Sequence, residues 1–149
     1  MRTTEHHPAR ILMIEDSPAD ILLLRHALDE QGAAYEIEVL RDGAQALQFV
    51  ATQRTSNDEP RPCVIVLDLH LPKHNGVTVL EAIKREPALL HIHVVALSSF
   101  ASPHDEAEIR ALGVRRYCEK PLDLDGWLTL ASDILALCRE SAFTAAFQN

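Results

Sequence analysis

No apolar run in the sequence approaches the roughly 20 residues of a membrane-spanning helix, and the opening MRTTEHHPAR lacks the apolar core of a secretory signal. Membrane insertion is not expected, and the chain reads as cytoplasmic. Cysteine is sparse. Cys63, Cys118 and Cys138 are odd in number and widely spaced, with no CxxC pair, which argues against a zinc ribbon and a small disulfide framework. All three lie in apolar runs and are expected to be buried, reduced thiols. Positive charge is also short: 14 Lys and Arg stand against 22 Asp and Glu, a net charge of −8. Such a field repels phosphate backbones, so direct nucleic-acid binding is not expected. Glycine is absent where a phosphate-cradling loop would need it. EDSPAD, after the first apolar run, carries three acids instead, which disfavours a flavodoxin-like cofactor binder. Of the eight histidines, His6-His7 and His91 with His93 lack the i,i+4 spacing of a helical metal site.

What is present is an alternation of short apolar runs with amphipathic ones. The 149 residues suit one domain. Ile11 to Ile14 reads as a strand, and Ser17-Pro18 opens a helix that presents Ile21, Leu24, Ala27 and Leu28 on one face. Tyr35 to Leu40 alternates as a half-buried edge strand does, and Asp42-Gly43 turns into a second helix. Thr52 to Pro62 is polar and reads as a loop, while Val64 to Leu67 is the continuous apolar run of a central parallel strand. A third helix over Gly76 to Glu86, a strand over Val94 to Leu97, a helix from Ser102-Pro103 to Gly113 and a strand over Val114 to Cys118 follow. Asp123 caps the last helix. This alternation implies an α/β fold: a doubly wound, five-stranded parallel sheet of order 2-1-3-4-5, flavodoxin-like. Residues 1–9 are read as a flexible N-terminus, 10–140 as the domain, and 141–149 as a tail that extends the last helix or frays, with Phe143 and Phe147 on one side.

In such sheets ligands sit beyond the carboxyl ends of the strands. Those ends carry Glu15-Asp16, Asp68, Ser98-Ser99 and Lys120-Pro121. Three carboxylates converging at one point cannot all stay ionised and unpaired, and a hard divalent cation resolves the conflict. Lys120 adds a positive charge, and Ser98 a hydroxyl donor. The set suits phosphoryl transfer onto Asp68, with charge on the phosphoryl oxygens neutralised by the metal and Lys120. A haloacid-dehalogenase-like phosphatase also uses an aspartate after an apolar strand. It wants a second acid two residues on, where this chain has His70.

The stretches IEDSPAD, VLDLHLPKHNG, VVALSS and YCEKPLD resemble response regulator receiver domains, over Arg10 to about Arg139. The resemblance implies a single-domain regulator of a two-component system with the (βα)5 receiver fold. It takes a phosphoryl group from a histidine kinase onto Asp68, and is a signalling protein rather than an enzyme, although it takes part in its own phosphorylation and dephosphorylation. It further implies Mg²⁺ or Mn²⁺ held by Asp16, Asp68, the His70 backbone carbonyl and, through water, Glu15. Ser98 is then the switch hydroxyl, Lys120 the conserved-type lysine and Tyr117 the switching aromatic. Serine replaces the commoner threonine at 98, and His70 and Phe100 are unusual at positions that flank the attacking water. Both are expected to shield an acyl phosphate. The long loop before RPCVIVLDLHLPK, with EPALLHIHVVALSS, is similar to stand-alone regulators that partner bacterial phytochrome kinases. Those imply a homodimer through the fourth helix, fifth strand and fifth helix, where acids of one subunit face Arg115 and Arg116 of the other. A phosphorelay shuttle to a histidine phosphotransfer protein, and a non-phosphorylated pseudo-receiver, fit the same residues.

Overall fold

A computed structural model describes residues 7–55, 61–100 and 102–147, with burial described through 141. Most of the N-terminus, the middle of the 52–62 loop, and Phe143 and Phe147 as a side-chain pair lie outside what is described. The elements are β1 (Ala9–Ile14), α1 (Pro18–Glu30), β2 (Tyr35–Leu40), α2 (Gly43–Gln53), β3 (Val64–Asp68), α3 (Gly76–Arg85), β4 (His93–Ser98), α4 (Pro103–Ala111), β5 (Arg116–Glu119) and α5 (Leu124–Phe147). A single 3₁₀ turn, Pro87–Leu89, links α3 to β4. The five strands form one parallel sheet in the order β2-β1-β3-β4-β5.

The helix starts are where the capping residues stand. Ser17, Asp42, Asn75 and Ser102 each accept a backbone N–H three residues on through the side-chain oxygen. Proline follows at the first position of α1 and of α4, where its missing N–H costs nothing. Gly32 and Gly113 take φ of +72° and +88°, and these left-handed residues let the chain leave α1 and α4.

Every residue of β3 is buried, as a central strand requires, whereas β2 alternates half-buried with exposed positions at its edge. The two faces of the sheet carry separate cores. Ile11, Met13, Val64 and Val66 pack with Leu24, Leu28, Trp127 and Ile134, so α1 and α5 share one face. Leu12, Ile14, Ile65 and Leu67 pack with Val50, Leu80 and Ile83 on the other. Single-residue alternation along β1 and β3 thus sends successive side chains to opposite layers. Both central strands end at one edge of this sandwich, where their last carboxylates emerge side by side.

The expectation of three reduced thiols is corrected. Cys63, just before β3, is bonded to Cys138 of α5 across a Cα–Cα distance of 5.2 Å, and Cys118 alone is free. The partners lie 75 positions apart, and only the packing of α5 over the start of β3 brings them together. Spacing along the chain carries no trace of that proximity.

Candidate metal and phosphoryl site

Asp68 ends β3 with 2% of its surface exposed. One carboxylate oxygen, Oδ1, accepts the backbone N–H of His70 at 2.9 Å. The loop beyond it is held close because Gly76 donates its N–H to Leu69 O at 3.1 Å. A Cβ on Gly76 would strike the Leu69 backbone, so a side chain is excluded there.

Beside Asp68, at the end of β1, Glu15 is buried and Asp16 exposed, and one oxygen from each of the three acids lies within 4.8 Å of the others. Burial, then the hydrogen bond with Asp68, pushes the Glu15 carboxyl up to about 9. Burial also drives Asp68 upward. The Glu15 hydrogen bond, the His70 N–H and the Lys120 charge outweigh it and hold Asp68 below the usual carboxylate range. The two neighbouring carboxyls are thus shifted in opposite directions, Glu15 upward and Asp68 downward. Two buried carboxyls with an exposed third within 4.8 Å form an oxygen set that fits a hard divalent cation such as Mg²⁺ or Mn²⁺.

Lys120 reaches this point from the end of β5, where its backbone N–H bonds to Ser98 O at 2.9 Å. Its ammonium touches three carboxylates: Glu15 at 2.6 Å, Asp20 at 2.8 Å and Asp68 at 3.3 Å. Burial alone would lower its pKa, but Asp20, Glu15 and Asp68 together raise it above the usual lysine value. Sequence reasoning reaches Asp20 only as part of a helix start and does not single it out as a site residue. The available signal was its place in the first turn of α1, four positions after Asp16 and on the side facing the strand ends.

Ser98, at the end of β4, is buried. The hydroxyl donates to Phe100 O at 3.0 Å and accepts the Phe100 N–H at 3.2 Å. His70 Nε2 lies 3.1 Å from the same oxygen, and with the hydroxyl proton on Phe100 O the imidazole is the donor. The rings of His70 and Phe100 meet edge to face, with centroids 6.4 Å apart, while Phe100 stays 79% exposed. Tyr117 is buried behind them in β5. Its Oη has no hydrogen-bond partner among the described residues, and Tyr117 lines a cavity of about 240 Å³ with His70, Ser98, Asp105 and Glu108. All the residues expected at the site are therefore gathered at one end of the sheet, with Tyr117 set back from the acids on the Ser98 side.

Residues 11–131 match the response regulator receiver domain family. The response regulator Rcp1 of Synechocystis sp. is 37% identical over 124 residues, covering 83% of this chain and 84% of that protein. The polar-differentiation response regulator DivK of Brucella anthropi is 32% identical, over 78% of this chain and 88% of its own length. Among solved structures, the phosphorylated cyanobacterial phytochrome response regulator RcpA superposes with a TM-score of 0.75 at 33% identity, covering 86% of this chain and 91% of that one. The Mn²⁺-bound form of Rcp1 gives 0.75 at 36% identity, over 87% and 93%. By sequence, fold and the convergence of its strand-end acids, the chain belongs to the response regulator receiver family.

Proposed function

We propose that this protein is a stand-alone phosphoacceptor that receives a phosphoryl group on Asp68 from a sensor histidine kinase, with Mg²⁺ or Mn²⁺ bound by Asp16, Asp68, the His70 carbonyl and, through water, Glu15. The observation that carries the reading is the Lys120 ammonium seated among Glu15, Asp20 and Asp68 beside a three-carboxylate cluster. An Asp68 oxygen attacks phosphorus, the bond from phosphorus to the donor imidazole nitrogen breaks, and the electron pair leaves with that nitrogen. A bound cation supplies charge neutralisation at the phosphoryl oxygens. Lys120 leaves Asp20 to pair with one of those oxygens, and the Ser98 hydroxyl exchanges Phe100 O for another. Tyr117, buried and unpaired at its oxygen, follows Ser98 and transmits the change to the outer face of β5.

The working unit is taken as residues 10–140, in the cytoplasm, and it turns over no external substrate. Similarity to phytochrome response regulators supports a bacterial phytochrome as the kinase and a light-dependent signal. Output is assigned to a homodimer through α4, β5 and α5. On that face Arg115 pairs with Glu140 at 3.1 Å and Arg116 with Asp133 at 2.6 Å within the chain, so a second copy offers the same acids in exchange.

The test is intact mass and molecular size after incubation with acetyl phosphate and Mg²⁺. A gain of one phosphate that needs both Mg²⁺ and Asp68, and is lost in Asp68→Asn, supports the assignment. A folded, Mg²⁺-binding protein that neither gains phosphate nor changes size with a beryllofluoride mimic defeats it. In the same assay Phe100→Ala should lose its phosphoryl group several-fold faster than the wild type, and an unchanged lifetime removes Phe100 from the shield.

A further inference from the structure

The Cys63–Cys138 bridge lies at the opposite end of the sheet from the acids, and nothing in the phosphoryl chemistry uses it. Cys63 precedes β3, the strand that ends on Asp68, and is partly open to solvent, whereas Cys138 is 7% exposed. Cys138 is also the last buried residue of α5 among the described residues. Arg139 and Glu140 are exposed, yet the helix continues to Phe147. The bridge therefore fastens α5 at the last of its described buried positions.

The reduced state is equally provided for at Cys63. The Arg10 carbonyl oxygen lies 3.1 Å from its sulfur, an acceptor ready for a thiol S–H, so opening the bridge leaves no stranded donor on that side. Cys138 would return to an apolar surround that includes Leu135, Leu137 and Ile134, where a neutral thiol sits comfortably. The third cysteine does not interfere. Cys118 is half-buried on β5, and burial raises its pKa, so it stays a protonated, poorly nucleophilic thiol.

We propose that Cys63–Cys138 is a thiol–disulfide exchange site for glutathione-class thiols, and that its redox state sets how firmly the outer end of α5 is held to the sheet. A glutathione thiolate attacks Sγ of the more accessible Cys63, and the S–S electron pair leaves on Cys138, which takes a proton. A second thiolate attacks the mixed disulfide, releases the Cys63 thiolate to be protonated, and departs as glutathione disulfide. Two thiols are oxidised for the one protein disulfide reduced, and glutathione disulfide drives the reverse. In reducing compartments disulfides are rare and mostly redox-sensing, which favours exchange over a permanent staple.

The full-length protein is equilibrated across a ladder of reduced-to-oxidised glutathione ratios, trapped by alkylation and weighed, with amide exchange of α5 read on the same samples. The expected result is a reversible two-thiol transition within the ladder that survives Cys118→Ser and is absent in Cys63→Ser and in Cys138→Ser. Amides from Arg139 onward should exchange about tenfold faster in the reduced form, with the Asp68 end of β3 unchanged. Three outcomes overturn the proposal. The bridge could stay closed under the most reducing buffer with the fold intact, or both thiols could stay free under the most oxidising one. The transition could also leave α5 exchange unaltered.

Discussion

Burial pushes the Glu15 carboxyl up while its neighbours hold Asp68 down, and these opposite shifts make the metal-free site sensitive to pH. The Glu15 pKa is raised from its ordinary 4.5 to about 9. Its contribution to stability is therefore complete below about 4.5 and lost as the pH climbs through about 9, because the folded state holds a proton that the unfolded chain releases. Asp68, held low, works the other way and contributes only above its own lowered value. In a chelator, the melting temperature should fall between pH 5 and 9, roughly the window set by Glu15, and Glu15→Gln should flatten the slope. Added Mg²⁺ should restore stability most at the alkaline end, where no proton competes. A second residue-scale expectation concerns His70. Its imidazole holds Ser98 in the arrangement that faces Phe100 O, and a hydrogen bond of this kind is worth about 1 kcal/mol. His70→Ala should bind beryllofluoride about fivefold more tightly, and the gain should vanish when Ser98→Ala is already present. A gain that persists without the hydroxyl would show that His70 acts elsewhere.

Among the elements, the packing of α5 on α1 carries the most consequence for the fold. Trp127, 1% exposed, fills the space between these helices and the sheet together with Leu24, Leu28 and Met13. Trp127→Ala should cost about 3–5 kcal/mol, read as a lower urea midpoint with an unchanged slope. Elements of this kind were legible in the sequence because their signals are local. Ser17-Pro18 and Ser102-Pro103 announce helix starts, and the unbroken run Val64 to Leu67 announces a strand covered on both faces. The ends were less legible: β1 begins at Ala9 rather than Ile11, and β5 runs over Arg116–Glu119 rather than from Val114. Edge pairing, not apolar content, decides where such strands stop. Pro87 signals only that α3 ends and gives no sign of the 3₁₀ turn that follows.

At the scale of the whole molecule, the contacts that the sequence does not announce join distant segments, and two of them matter most here. Asp20 meets Lys120 across 100 positions, and Cys63 meets Cys138 across 75. Neither follows from periodicity, because each depends on which strands neighbour one another and how α5 crosses them. Closing a loop of that size restricts the unfolded chain by roughly 4 kcal/mol on chain-entropy grounds. The oxidised protein should accordingly melt several degrees above the reduced one, and equal melting temperatures would mean that the bridge adds nothing to the fold.

The order in which residues are synthesised gives the Lys120 contacts a last consequence. The nearest of its three carboxylate partners along the chain, Asp68, precedes it by 52 positions, and Asp20 by 100. On the ribosome all three acids leave the exit tunnel well before the ammonium that will neutralise them. Strands β1, β3 and β4 are consecutive in the sheet and share no pairing with β5 except at the β4 edge. A nascent chain that has begun to pair them gathers negative charge with no lysine to balance it, and the countercharge at that stage has to come from solution. Until β5 joins the sheet, that countercharge is a proton or a dissolved cation, so the order of synthesis makes this corner of the fold the last to become electrically self-sufficient.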